Sequence, residues 1–251
     1  MKKFNTNTMA CFLLAVFMVF GMAGAVNAEQ MAVVATAAAD FSSGAHSVIS
    51  VEPVDGSRTV QNELAPTGSD ITVVAYGDYF YRMERSGAHN ITKYHVDEPT
   101  NPVWQYSTEG DESNSNPHDM IFVNSEKAYV LRYGSTKAWI VNPPPTKEEE
   151  IKIGKEDLNT KEDADGKPEM HSGTIVDNRL FITLQRVDFT GGWGNYEYNI
   201  PYVAVFDVTT DTEIDIGDCG CAMKGVEVPS ITNLGVIQYI EANDMIYLQG
   251  M

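Results

Sequence analysis

The stretch SNPHDMIFVNSEKAYVLRYGSTKAWIVNP, residues 115–143, holds short hydrophobic strands joined by polar turns. Runs of Val, Ile, Tyr and Phe bounded by Gly, Pro, Asn and Asp are typical of β-strands, and no long segment has a helical period. An apolar strand, a polar turn and an aromatic-rich strand recur four times along the chain. The four copies are ITVVAYGDYFYRMER (71–85), DMIFVNSEKAYVLRYG (119–134), GTIVDNRLFITLQR (173–186) and GVIQYIEANDMIYLQG (235–250).

Two further strands follow the hairpin in each of the first three copies. They are ITKYHVDEP (91–99) and PVWQYS (102–107), KAWIVNP (137–143) and EEEIKIG (148–154), and YVAVFDV (202–208) and DTEIDIG (211–217). A lone four-stranded sheet that is apolar on both faces needs a neighbouring sheet against each face, and sheets stacked radially make a β-propeller. We therefore predict an all-β fold with blades at about 71–108, 118–155 and 172–217 and a partial blade at 234–251. A β-sandwich is the alternative, but it does not explain why the whole unit recurs.

The segment KAYVLRYGSTKAWIVNP (127–143) resembles the repeat of secreted bacterial YVTN-type β-propellers. In that repeat an aromatic-Val pair, a Gly-containing turn and a hydrophobic ending with Asp or Asn before Pro recur in each blade. The Tyr-Val-Thr-Asn tetrapeptide of the repeat is replaced here by Tyr129-Val130-Leu131-Arg132. The resemblance implies a propeller that serves as a surface protein, a binding scaffold or a relative of quinoprotein subunits.

The number of repeats predicts an incomplete arc rather than a closed ring. Three full blades and half of a fourth make an arc of about four blades, which we expect to be part of a larger, typically seven-bladed, propeller, since propellers close with four to eight. In the alternative, the strand HSVISVEP (46–53) completes the last blade and closes a compact four-bladed ring.

The N-terminal residues predict export. Residues 1–28 combine Lys2 and Lys3, an apolar run and small residues up to Ala28, which is the pattern of a cleaved signal peptide. An uncleaved membrane anchor is the alternative. Export predicts a location in the periplasm, on the cell surface or outside the cell, with no stable membrane span after cleavage. Residues 29–45 are rich in Ala and Ser and predict a linker or a loosely held arm.

Composition excludes some partners. The chain has 35 acidic and 17 basic residues and a formal net charge of -18, so it repels nucleic acid and anionic lipid surfaces. Beyond the signal segment only Cys219 and Cys221 remain, and a bridge between them would close a tiny, strained loop. Stability must therefore come from a hydrophobic core.

Polar residues precede the innermost strands of several predicted blades. NPHDM (116–120) and PEMHSG (168–173) each place a histidine there, and an aspartate precedes the first copy. Innermost strands line the central channel, so these side chains are candidates for a ligand, metal or acid-base site at one mouth. Alternatively, they close turns and satisfy backbone groups. The candidates are Asp70, His118, Asp119, Glu169 and His171.

Four arginines lie at or near the ends of second strands, namely Arg82, Arg85, Arg132 and Arg186. In an acidic protein, guanidinium groups gathered near the channel would bind an anion. The alternative is ordinary pairing with Asp and Glu side chains.

The segment NTKEDADGKPE (159–169) alternates carboxylates in the manner of Ca²⁺ loops. Asp163, Asp165 and Glu169 are the candidate ligands. The segment is not an EF-hand, because Lys161 and Ser172 occupy the first and last positions, where acids are required. A looser Ca²⁺ site or a solvated acidic loop both fit the pattern.

The insertion FTGGWGNYEYNIP (189–201) separates the second and third strands of its blade. Trp193, Tyr196 and Tyr198 on this Gly-rich loop are candidates for stacking on sugar rings or a partner surface. Alternatively, the loop folds back over the blade.

The sequence carries no nucleophile elbow, phosphate loop, dinucleotide fingerprint or metallohydrolase motif. We predict an exported, non-enzymatic propeller that acts as a binding or scaffold module through the loops at one mouth. Its partner would be a protein, a carbohydrate or a small molecule, with no cofactor except a candidate Ca²⁺. The alternative is a propeller enzyme or quinoprotein-like subunit with a metal or acid-base site near the central channel.

Overall fold

The computed structural model describes residues 30–53, 56–145, 147–158, 161–216 and 223–250. These ranges hold β-strands, loops and short 3₁₀ turns at Glu148–Glu150 and Glu241–Asn243, and no α-helix. The predicted signal peptide (1–28) and both Cys219 and Cys221 lie outside the described residues. In the part of the chain that is described, no helix has the length and apolar character needed to cross a membrane.

The first two sheets are antiparallel and follow chain order. The N-terminal sheet has the strands β1 (Met31–Ala37), β2 (Gly44–Ser50) and β3 (Val60–Thr67). The first blade has the strands β4 (Ile71–Tyr76), β5 (Tyr79–Glu84), β6 (Asn90–His95) and β7 (Pro102–Ser107).

The second blade repeats this order, and the third blade interrupts it with an insertion. The second blade has the strands β8 (Pro117–Asn124), β9 (Lys127–Arg132), β10 (Lys137–Val141) and β11 (Lys152–Asp157). The third blade and its insertion have the strands β12 (Met170–Val176), β13 (Arg179–Leu184), β14 (Val187–Asp188), β15 (Glu197–Tyr198), β16 (Tyr202–Asp207), β17 (Thr212–Glu213) and β18 (Val226–Glu227). Strands β14 and β15 pair as a separate ribbon, while β17 and β18 pair with opposite ends of β16.

The last hairpin consists of β19 (Leu234–Ile240) and β20 (Met245–Gly250). Its inner strand β19 lies beside β12, which lies beside β8, which lies beside β4, which in turn lies beside β1. The sheets are therefore arranged like a fan, with one strand of each sheet at the inner edge.

Each blade buries both of its faces because its side chains alternate along the strand. In β9, Ala128 and Val130 pack toward the first blade, whereas Tyr129 and Leu131 pack toward the third. The third blade repeats this arrangement. Ile182 faces the second blade, whereas the preceding residue, Phe181, packs against the last hairpin. Because side chains alternate along each strand with a period of two, both faces of a blade pack against neighbouring sheets, as the predicted propeller requires.

Two predictions about the N-terminal region are wrong. The segment expected to be a linker (29–45) contains β1, which pairs along its whole length with β2. Strand β2, which was a candidate to complete the last blade, instead lies between β1 and β3. The reason is hydrophobic: Met31 and Val33 alternate along β1 and pack in one cluster with Phe80 of the first blade.

Candidate functional site

Residues from four sheets line a cavity of about 380 Å³ at one end of the fan. Apart from those of the β14–β15 insertion, they lie where inner strands begin or where the antiparallel second strands end, so the repeat brings them to the same edge. We call this space the mouth cavity. Among the side chains that line it are Asp70, Arg85, His118, Tyr133, Trp193 and Tyr196.

An ion pair forms the first-blade wall of the mouth cavity. Arg85 Nε donates to Asp70 Oδ1 at 2.7 Å, and a terminal guanidinium nitrogen of Arg85 contacts the same oxygen. The Ser86 backbone N–H donates to Asp70 Oδ2 at 3.1 Å. The two formal charges therefore neutralise each other within the wall.

The second blade contributes a stacked histidine. The ring of His118 lies 4.3 Å from that of Tyr133, with an angle of 20° between the planes. His118 Nδ1 is 3.0 Å from Nδ1 of His171, so one of the two rings donates and the other accepts.

Both histidines are neutral at physiological pH. Burial, together with the positive charge of Arg85, lowers the pKa of His118 to about 2 and that of His171 to about 4. At pH 7 the pair can therefore accept and donate hydrogen bonds without carrying a charge.

The third blade supplies an aromatic loop, residues 189–199, which runs from the end of β14 through β15. Its ends are joined by the β14–β15 ribbon, in which Val187 pairs with Tyr198. Trp193 is 89% exposed, and its ring is parallel to that of Phe189 with 6.1 Å between centroids. Tyr196 lies beside both rings. The loop thus presents ring faces at the edge of the mouth cavity.

Three amides complete the wall, and each has one buried polar atom without a protein partner. They are Asn116 Oδ1, Gln185 Nε2 and Asn233 Oδ1. The other end of the Gln185 amide accepts a hydrogen bond from Tyr133 Oη at 3.0 Å. Buried polar atoms are nearly always satisfied, so unpaired ones in residues that line a cavity indicate positions for water or a polar ligand.

Sequence reasoning missed Tyr133 and these amides. Tyr133 follows the second strand of its blade, as Arg85 and Arg186 follow theirs, and its backbone N–H likewise donates to a carbonyl just before the inner strand, that of Asn116. The repeat alignment therefore carried a signal for Tyr133. It also carried a signal for the amides, since Asn116 and Asn233 directly precede inner strands, as Asp70 does, and Gln185 directly follows the second strand β13.

The acidic residues form a separate cluster beside the mouth cavity. One carboxylate oxygen from each of Asp163, Asp165 and Glu169 lies within 4.8 Å of the others. Asp165 and Glu169 line an adjoining cavity of about 300 Å³, which shares Tyr133 and other wall residues with the mouth cavity. Burial and the neighbouring carboxylates raise the pKa of Glu169 to about 9.

The predicted five-residue site at the channel mouth does not assemble. Asp119 does not line the mouth cavity, whereas His118 does, and the register of β8 shifts between Pro117 and Asp119. Asp119 Oδ2 accepts from the Gly173 N–H at 2.9 Å and from Ser172 Oγ at 3.3 Å. It therefore ties β8 to β12, and burial there raises its pKa to about 6. Glu169 belongs to the acidic cluster, which is the one group with metal-ligand spacing among the residues described.

The four arginines predicted to bind an anion do not gather at one site, because Arg85 alone among them lines the mouth cavity. Arg82 donates to Glu84 and to the Ala65 carbonyl, and joins the first blade to the N-terminal sheet. Arg132 and Arg186 are occupied elsewhere by backbone carbonyls, at 2.9 Å from Arg132 Nε to Thr108 O and at 3.1 Å from Arg186 Nε to Lys161 O.

No family model and no curated protein matches the chain. Several solved structures do. Hydrazine synthase of Kuenenia stuttgartiensis matches with a TM-score of 0.52 and 14% identity, over 85% of this chain and 54% of that one. Arabinanase Arb43A of Bacillus subtilis matches with a TM-score of 0.45 and 9% identity, over 87% of this chain and 88% of that one. BamB of Moraxella catarrhalis matches with a TM-score of 0.39 and 13% identity, over 85% of this chain and 80% of that one.

These neighbours are β-propeller proteins. The fold is a β-propeller. The predicted all-β propeller fold class is thus confirmed. Sequence identities this low support the fold and say nothing about function. The chain spans about half the length of the hydrazine synthase chain it matches. The YVTN-type repeat stays a resemblance.

Proposed function

We propose that this chain is an exported β-propeller binding module that binds a neutral carbohydrate in the mouth cavity. The observation that supports it is the convergence of three separate features on one space. The Asp70–Arg85 pair, the His118–Tyr133 stack and the aromatic loop come from three different blades and line the same cavity. Its volume of about 380 Å³ falls in the roughly 300–1,000 Å³ range of small-molecule sites.

The charge of the wall favours a neutral ligand. Asp70 and Arg85 cancel each other, and the lowered pKa values of His118 and His171 leave both rings uncharged. An anion would have to replace Asp70 as the partner of Arg85 and approach a chain of net charge -18. A neutral ligand avoids both costs.

The mixture of ring faces and planar polar groups favours a sugar. A sugar ring presents C–H groups on its faces and hydroxyls around its edge. Aromatic faces cover the former, and here Trp193 and Tyr196 are available for that. Hydroxyls both donate and accept, so they match the two unpaired acceptors Asn116 Oδ1 and Asn233 Oδ1 and the unpaired donor Gln185 Nε2.

An enzyme is the alternative, and one contact favours it, the 3.0 Å approach of His118 to His171. General acid-base catalysis works best with a pKa near the working pH. The lowered pKa values of both rings make them poor acids and weak bases at pH 7. Asp119 and Glu169, which would complete the site, are engaged elsewhere, so binding is the better supported function.

Isothermal titration with a panel of neutral cello-, xylo-, arabino- and chito-oligosaccharides tests the proposal. We expect saturable binding by at least one member. Trp193→Ala should weaken that binding by about 30-fold, because truncating an aromatic anchor costs about 2 kcal/mol. Tyr247→Ala is the matched control, since Tyr247 is also an exposed aromatic but lies on the last hairpin.

Two results would contradict the carbohydrate proposal. One is the absence of saturable binding across the panel by folded protein. The other is binding that Trp193→Ala leaves unchanged, which would place the ligand outside the mouth cavity. If a protein or a different small molecule binds instead, and Trp193→Ala blocks that binding, the mouth cavity remains the binding site but its ligand is not a carbohydrate.

Export has its own test. Expression of residues 1–251 in a bacterial host, followed by mass spectrometry of the periplasmic fraction, should find a mature N-terminus at Glu29. Full-length protein retained in the membrane fraction would instead support the uncleaved anchor.

A further inference from the structure

The acidic cluster holds both ends of the aromatic loop. Just before the loop, the Val187 N–H of β14 donates to Glu169 Oε2 at 3.0 Å, and at its start the Phe189 N–H donates to Asp165 Oδ2 at 3.2 Å. At its end, Asn199 Nδ2 donates to Asp163 Oδ2 at 3.1 Å. The three carboxylates therefore anchor both ends of the loop by hydrogen bonds.

The hydrogen bonds leave part of the cluster unsatisfied. Glu169 is only 1% exposed, yet its Oε1 is buried without a hydrogen-bond partner, and so is Asp165 Oδ1. Both residues line the adjoining cavity. Among the described residues, no salt bridge reaches Asp163, Asp165 or Glu169. Buried carboxylate oxygens without a donor are costly unless a cation or a proton compensates them.

The spacing of the oxygens matches a calcium ion. Ca²⁺ binds oxygens at about 2.3–2.6 Å, so two ligands on opposite sides of the ion are roughly 4.6–5.2 Å apart. The three carboxylates fall within 4.8 Å of one another. Mg²⁺ requires near-ideal octahedral geometry at about 2.0–2.1 Å and usually keeps several waters with one or two carboxylates, so three converging carboxylates favour Ca²⁺.

We propose that Asp163, Asp165 and Glu169 form a Ca²⁺ site that fixes the aromatic loop at the edge of the mouth cavity. The ion binds the carboxylate oxygens, including those that no protein donor reaches, and water completes its coordination. The carboxylates keep their bonds to Val187, Phe189 and Asn199, so immobilising them immobilises the loop. Bound calcium thereby restricts the position of Trp193 without contacting it.

Titration of EDTA-treated protein with CaCl₂ tests the site directly. We expect one saturable site with a Kd on the order of 10⁻⁴–10⁻³ M, the range of extracellular Ca²⁺ modules. Asp165→Asn and Glu169→Gln should each weaken binding at least tenfold. Glu162→Gln is the matched control, because it removes the same charge from an exposed position of the same loop. MgCl₂ should bind more weakly than CaCl₂ to the wild type.

Thermal unfolding separates a metal ligand from a residue that is needed only for folding. At a hundredfold excess of Ca²⁺ over Kd, the wild type should gain roughly 5–10 °C in Tm. Glu169→Gln should lose that gain while melting in EDTA no lower than the wild type, because an amide removes a buried carboxylate. A variant that melts lower in EDTA as well would show a structural role for Glu169 and contradict the proposal.

Hydrogen exchange tests the coupling to the loop. Ca²⁺ should slow exchange across residues 187–199 in the wild type, and should leave it unchanged in Asp165→Asn. The proposal is overturned if folded wild-type protein shows no saturable Ca²⁺ binding up to 10 mM, if Asp165→Asn binds equally well, or if binding leaves exchange at 187–199 unaltered. All these readouts use metal and protein alone, so they are independent of any carbohydrate.

Discussion

Replacing Ile182 by alanine tests whether neighbouring blades cover each other's faces. Ile182 is fully buried, and its cluster joins residues of the second blade, such as Tyr129 and Leu131, to residues of the third. The substitution removes three carbons, which at about 0.8 kcal/mol each amounts to about 2.4 kcal/mol of lost transfer free energy. The cavity left behind adds to this, so we expect a loss of about 3–4 kcal/mol in the free energy of unfolding.

Urea unfolding followed by circular dichroism measures this loss as a lower midpoint with an unchanged slope. Ile153→Ala is the matched control, since Ile153 is 58% exposed on the outer strand of the second blade. It makes the same chemical change and should cost about 0.5 kcal/mol or less. If Ile182→Ala costs less than 1 kcal/mol, or no more than the control, the packing of blade on blade is refuted.

Two further predictions concern the second blade and its histidine. A Cβ added at Gly134 would lie 1.9 Å from the Asn114 carbonyl oxygen, whereas one added at Gly68 meets nothing within 4 Å. Gly134→Ala should therefore lower the urea midpoint strongly and Gly68→Ala should not; equal effects would show that the Gly134 turn is misplaced. The pKa of His118 is about 2 in the folded protein and near 6.5 when unfolded, so stability is complete above pH 6.5 and falls as the pH drops below it. His118→Gln should remove about 2–3 kcal/mol of the loss between pH 7 and pH 4.5, and an unchanged pH profile would contradict the burial of this ring.

The blades were predictable because their signal is local. A period of two over five or six residues, bounded by turn residues, specifies a strand whatever it later packs against. Strand β1 has the sequence MAVVATA, in which small residues weaken the pattern. It forms because β2 and the first blade cover it, and a segment read alone does not show that contact.

The candidate site was predictable in its members but not in its grouping. The repeat places Arg85 and Arg186 at equivalent ends of second strands, but Arg186 is bound to the Lys161 and Ile200 carbonyls of its own insertions. His118 lines the cavity and Asp119 does not, and sequence spacing alone does not say which of the two reaches it. The insertions differ from blade to blade, so their folding is a tertiary property that a repeat alignment does not carry.

The most direct test of the proposed function is a hydrogen-exchange map of the protein with and without the neutral oligosaccharide panel. We predict slower exchange in three segments at once, one from each blade: 84–87, 116–118 and 189–198. Protection of all three would show that one ligand touches three blades at the mouth cavity. Protection confined to another surface, or to a single one of these segments, would contradict the proposal.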